Sequence, residues 1–160
     1  MRNAKGFSLI ELLIVVAIIL IIAAIAAPSF LHARMAANES AAVGALRTLN
    51  SAQVSYNSTY PTVGFAGALS YLAGTSCASV PPTSSTACLI DSSLGSGTKS
   101  GYVFTLSGVS GAPASSYQFI ATPVAVNQTG IHYFCSFADA VIRSSQSTIS
   151  TCDGTVSPQQ

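Results

Sequence analysis

From Phe7 to Leu31 the chain reads as apolar or small side chains interrupted only by Ser8, Glu11 and Ser29. A run of roughly 25 residues is long enough, as a helix, to cross a hydrocarbon core of about 30 Å. The pattern predicts one continuous helix over residues 7–57, membrane-spanning to about residue 31. Its first half is apolar all round, the mark of a helix buried in lipid or in a bundle of like helices. Beyond Pro28 the pattern turns amphipathic. Ala42, Ala45, Leu46, Leu49, Ala52 and Tyr56 recur at spacings of three and four, so one stripe faces a core while Arg34, Asn38, Glu39 and Arg47 lie largely elsewhere. Pro28 removes a backbone hydrogen bond and crowds the preceding turn, which predicts a kink rather than a boundary, because helical periodicity resumes at once. Gly44 is a second weak point in the same helix.

After Tyr60-Pro61 the period is lost. Residues 61–100 carry Gly64, Gly67, Gly74, Pro81, Pro82, Gly95 and Gly97 among serines and threonines, which is loop composition, with a short helix expected over 65–72. The remainder reads as antiparallel strands at 102–106 and 117–122, joined through Gly111-Ala112-Pro113. Another strand is expected at 131–137, followed by a tight turn at Asp139-Ala140 and a short return strand at 141–143. Three or four strands with one apolar face would cover the helical stripe. The expected class is α+β, a long N-terminal helix on a small antiparallel sheet, with the globular part formed by residues 58–160 and the second half of the helix.

Charge adds little to this picture and cysteine adds more. Only 7% of residues are charged, and the formal net charge is +1. Such a balance leaves no basic footprint for nucleic acid. The four cysteines, Cys77, Cys88, Cys135 and Cys152, allow three pairings. Neighbour pairing, Cys77 with Cys88 and Cys135 with Cys152, is favoured because each pair brackets a Ser/Thr-rich stretch that would otherwise be loose. Metal binding competes poorly. There is no Cys-x-x-Cys, and His32 and His132 stand far from the cysteines in sequence. Calcium would need six to eight oxygens, more than the scattered carboxylates offer.

No catalytic set can be assembled. His32 reads as a solvated helix residue and His132 as a strand residue, exposed or partly buried, while Asp91, Asp139 and Asp153 sit among turn formers. No cofactor is expected and no enzyme activity.

The carboxylate of Glu11 is the anomaly, since a charge inside an apolar segment is costly in lipid unless a partner neutralises it. What precedes it is equally specific. Arg2 and Lys5 make a basic start, Gly6 follows, and then come Phe7-Ser8-Leu9-Ile10-Glu11 and the apolar run. An ordinary secretory signal would instead place a small-residue cleavage site after the apolar region, which Ala23 to Ala27 could only imitate. The heptapeptide Lys-Gly-Phe-Ser-Leu-Ile-Glu closely resembles the class III signal of type IV prepilins and type II secretion pseudopilins.

That resemblance implies a leader, residues 1–6, removed by a prepilin peptidase between Gly6 and Phe7 on the cytoplasmic face. It further implies N-methylation of Phe7, a single-pass subunit in the bacterial inner membrane, and later a periplasmic or cell-surface filament. Partners would be itself and other pilins, the peptidase and an inner-membrane assembly platform. Glu11 would act in assembly by meeting the Phe7 amine, and Pro28 would mark a segment able to unwind. Ala121-Thr122-Pro123 and the Asp139 to Arg143 spacing more weakly resemble the sheet of the same proteins. Two functions stay open on these grounds: a structural subunit of a type IV pilus, or a pseudopilin of a type II secretion system. A membrane-anchored binding domain that never polymerises is the outsider. The cysteine pairs and the long serine-rich loop favour the pilus, since major pseudopilins of the resembled family usually lack such disulfides and tend to carry a calcium loop.

Overall fold

A computed structural model of the chain describes residues 6–74, Cys77 and 81–159. The expected leader therefore lies, apart from Gly6, outside the described residues. Element order is α1 (Leu9–Thr59), α2 (Leu69–Leu72), α3 (Ser92–Gly95), β1 (Thr98–Lys99), β2 (Tyr102–Gly111), β3 (Ala114–Pro123), β4 (Tyr133–Phe137) and β5 (Arg143–Ser145). The fold is α+β, and the chain divides into two compact units, Met1–Arg34 and Met35–Gln160.

The first unit is the N-terminal part of α1. Helical structure is assigned through Pro28, and every described side chain up to Arg34 is exposed.

In the second unit the five strands run in the order β1-β2-β3-β4-β5, every neighbouring pair antiparallel. Strand alternation decides what each face meets. Phe104, Phe119 and Phe134 point to one face and pack with Tyr102 and Tyr117 against Leu46, Leu49 and Tyr56 of α1. All six stripe positions of the helix, Ala42, Ala45, Leu46, Leu49, Ala52 and Tyr56, are buried, joined by Met35, Val43, Asn50 and Gln53. The opposite face is covered too: Ile120, Tyr133 and Cys135 form a second cluster with Ile149 and Cys152 of the C-terminal segment.

That second core corrects the expectation of a single apolar face. Its cover is a Ser/Thr-rich segment of low hydropathy, held by backbone bonds from Ser144 to Ser157 and from Gln159 to Ile142, and by the bond between Cys135 and Cys152.

Element limits shift for identifiable reasons. The helix expected over 65–72 shortens to Leu69–Leu72 because the backbone ahead of it is engaged elsewhere: the Phe65 amide donates to Ala114 O at 3.0 Å and the Ala66 amide to Gln53 Oε1 at 2.8 Å. The strand expected at 131–137 starts at Tyr133, since the amides of Ile131 and His132 donate to Glu39 instead of a neighbouring strand. The return strand moves from 141–143 to Arg143–Ser145, because the Val141 amide turns back to Asp139. Strand β2 runs on to Gly111 through a bulge beyond Ser107, where Gly108 and Gly111 take positive φ. The stretch 61–100, expected to be mostly loop, also holds α3 and β1.

Candidate assembly site

The N-terminal part of α1 opens on a side-chain cap. Ser8 precedes the first helical residue, and its amide donates to Glu11 Oε2 at 2.9 Å. Ser-x-x-Glu is the capping-box spacing, in which the third-position carboxylate satisfies one of the orphan amides at a helix start. The carboxylate also faces the positive end of the helix dipole. The sequence pattern singles out Glu11 as a charge in need of a partner, and the Ser-x-x-Glu spacing that makes Ser8 one is local enough to be read from it.

Beyond the cap, this segment buries nothing of its own. Phe7 and Leu9 are both 81% exposed, and the large apolar side chains through Leu31 are exposed with them. It is long and apolar enough to cross a membrane. Gly6 has no neighbour within 4 Å of where a Cβ would stand, so the residue before Phe7 is open to approach. Patches of exposed apolar surface on this scale mark a membrane or protein contact. The geometry thus supplies an apolar rod bearing one carboxylate near its start.

The second unit is, by contrast, internally satisfied. Glu39, placed off the stripe by its helical spacing, is only part exposed and reaches across to the segment before β4. Its Oε1 accepts from the Ile131 amide at 2.7 Å and the His132 amide at 3.1 Å, and its Oε2 lies 3.0 Å from His132 Nδ1. Burial works against its ionised form, yet the two amides and His132 outweigh it and hold the carboxyl below the ordinary glutamate range. One residue earlier, Asn38 Nδ2 donates to Thr129 O at 2.9 Å. These contacts span more than 90 residues of sequence, so no local pattern could reveal them.

Within the core, Asn50 donates to Ser136 Oγ at 2.8 Å and accepts from Tyr117 OH at 3.2 Å. Gln53 holds both backbone groups of Ala66, at 2.8 and 3.1 Å. A buried amide costs stability unless such partners are present.

Other predicted residues settle into structural roles. Asp91 caps α3 through the Leu94 amide at 2.9 Å and pairs with Lys99 at 2.6 Å. Asp139 pairs with Arg143 at 2.6 Å; burial raises its pKa, but the guanidinium and the Val141 amide more than offset that and leave it lowered. Arg143 also lies 4.4 Å over the Phe137 ring. Cys77 is bonded to Cys88 and Cys135 to Cys152, with Cα separations of 5.7 Å in both. His32 is exposed, and His132 has Glu39 rather than a nucleophile beside it. Among the described residues no cluster of three or more His, Cys, Asp or Glu side chains could hold a metal ion.

A family comparison points to the same end of the chain. Residues 1–27 match the family described as the prokaryotic N-terminal methylation motif. A stretch of 39 residues is 67% identical to a protein of Thermus thermophilus named the type IV wide pilus major component PilA4. The match covers 24% of this chain and 30% of that relative, so the chain spans less than a third of its length. No solved structure matches.

Proposed function

We propose, from the premise that this chain belongs to the type IV pilin superfamily, that it is a structural subunit of a type IV pilus, assembled from the inner membrane by packing of its N-terminal helix. The chain is similar to a pilin-type structural subunit, and the methylation motif with its apolar helix fits anchoring in the inner membrane followed by a surface filament. The observation that carries the reading is the helix from Leu9 to Leu31, which exposes its apolar side chains and holds a single carboxylate, Glu11. Support for a pilus over a secretion pseudopilin comes from the name borne by the Thermus relative and from the two disulfides that brace Ser/Thr-rich loops.

Cleavage after Gly6 turns the Phe7 nitrogen into an amine at the start of the helix. That cation enters a bundle of other subunits' apolar helices, where an unpaired charge costs several kcal/mol and an opposite charge offsets much of the cost. Glu11 supplies it. Within one subunit the carboxylate caps Ser8; on assembly it exchanges that weak local bond for the amine of a neighbour, which fixes register as well as charge balance.

The test is a pair of variants followed by mass spectrometry and electron microscopy. The wild-type filament subunit should begin at N-methylated Phe7, and Gly6→Val should leave the leader attached and the protein in the membrane. Glu11→Ala should be cleaved and folded yet build few or no filaments. A mature chain that starts at Met1 or after Ala27 overturns the processing, and normal filaments from Glu11→Ala overturn the charge pair. Sheared surface filaments support the pilus, whereas loss of protein secretion without surface filaments would make the chain a pseudopilin.

A further inference from the structure

The charges of the second unit are paired almost completely inside it. Lys99 meets Asp91, Arg143 meets Asp139, and Glu39 meets His132. Among the described residues from Met35 onward, this leaves one cation and one carboxylate that bond to no other element: Arg47 and Asp153.

The two sit on surfaces of opposite form. Arg47 lines two adjoining cavities of about 490 and 270 Å³, which share it and Ala140. Together they make an open groove between α1 and the turn ahead of β5, with Val54 on one wall and Val141 on the other, 57% and 41% exposed. Asp153 stands on an exposed turn formed with Gly154 and Thr155. The turn is a firm knob: Asp153 Oδ1 accepts from the Thr155 amide at 2.9 Å and the Thr155 hydroxyl at 2.5 Å. Next to it, Cys152 is bonded to Cys135 of β4 and its amide donates to Gln118 Oε1 at 2.8 Å.

We propose that this groove is the seat for residues 153–155 of a second copy of the chain, with Arg47 of one copy paired to Asp153 of the next. Charge complementarity names the occupant: among the described residues of the unit, the groove has the one cation, and the knob the one carboxylate, that bonds to no other element. Preorganisation favours the fit, since a knob already held by a disulfide and three hydrogen bonds loses little freedom on docking. The two surfaces differ, so the contact is head-to-tail, and such a contact propagates into an open array rather than closing as a dimer. The inference rests on the reading that the chain polymerises, and it adds a second contact, in the globular part, to the one made by the apolar helix.

The experiment uses the full chain expressed in cells, with sheared filaments counted and with Glu11→Ala as the assembly-negative control. An exposed ion pair contributes little singly, but a like-charge reversal repels at every contact along a filament. Arg47→Glu and Asp153→Arg should each lower filament yield by about fivefold or more, and the double variant should restore at least half of the wild-type yield. A chain carrying Ser51→Cys and Gly154→Cys should give, under oxidation, a ladder of crosslinked multimers.

Normal yield from both single variants, no rescue in the double, or crosslinking that stops at the dimer overturns the proposal. In those cases wild-type filaments that vanish with Glu11→Ala leave the pilin reading standing. If the wild-type chain itself forms no filament, both fall. Arg47 is exposed, so Arg47→Glu should melt as wild type does; Asp153→Arg also gives up the two bonds to Thr155, and its melt, with that of the double variant, separates lost contact from lost fold.

Discussion

Along α1 the same kinds of side chain meet opposite fates. Ile14, Ile18, Ile21 and Ile22 are all more than half exposed, while Leu46 and Leu49, farther along, are fully buried. The later stretch spends its apolar surface on a sheet that the same chain supplies, and its polar exceptions, Asn50 and Gln53, have their hydrogen-bond partners. The earlier stretch leaves nearly all of its surface to be covered from outside the chain. Transfer of apolar area from water contributes roughly 25 cal/mol per Å² wherever it occurs. In one stretch that free energy stabilises the fold; in the other it is held in reserve for lipid or for other subunits.

The sharpest way to break this contrast is to cut it. A chain beginning at residue 35 should be soluble without detergent and unfold in one cooperative transition, whereas the full chain should need detergent or lipid. A truncated chain that binds hydrophobic dyes and melts without a transition would show that the sheet depends on the earlier stretch after all.

Substitutions sharpen it next. Leu46→Ala or Phe119→Ala removes a fully buried side chain from the core and should lower stability by about 2–5 kcal/mol. Ile18→Ala, exposed in the subunit, should leave the melting temperature unchanged and reduce only what the helix does in membrane or filament. Equal effects on melting would erase the distinction.

The disulfide across the sheet's second face comes after that. Replacing Cys135 and Cys152 together by Ala opens a closure of 17 residues, which the loop-entropy model values at about 3 kcal/mol. The second cluster should loosen first, seen as faster amide exchange at Ile149 than at Phe119. Uniform loss of protection would mean that the two faces are one cooperative unit.

The smallest expected effect is acid sensitivity at Glu39. Its pKa is lowered on folding, so the folded state holds fewer protons there than the unfolded one. The stability it contributes is therefore full above the ordinary glutamate value, near pH 4.3, and is lost as pH falls through the lower folded value. Glu39→Gln should melt a few degrees below wild type at pH 7, with the gap closing below about pH 4. A gap that stays constant with pH would assign the effect to packing rather than charge.

How much of this was legible in the sequence follows the range of each interaction. The motif around Gly6, Phe7 and Glu11 is local and could be read directly, and so could the stripe from Ala42 to Tyr56, since a helical period is set by adjacent turns. Strand centres were readable from alternation, but their ends were not. Tyr133 begins β4 because a glutamate 94 positions earlier in the chain takes the preceding amides. Likewise the spacing that put Glu39 and Asn38 off the stripe says nothing about side chains long enough to reach around it. The C-terminal cover was missed because it is held by backbone bonds and a disulfide rather than by an apolar pattern. The Ser8 cap is different: its Ser-x-x-Glu spacing is local and stands in the sequence beside the assembly motif that shares Glu11.

The bonds from Asn38, Glu39 and Asn50 to partners between Thr129 and Ser136 also set a timetable. They join positions 86–93 residues apart, and contacts so distant in sequence are slow to form. The helix is made first, but its partner strands follow only after most of the remaining chain has been synthesised, at about 5–20 residues per second. For several seconds the stripe from Ala42 to Tyr56 has no sheet to cover it. A nascent subunit emerging beside the membrane is thus most prone to aggregation in the interval before β4 arrives, and a chaperone that shields helices would have its largest effect then.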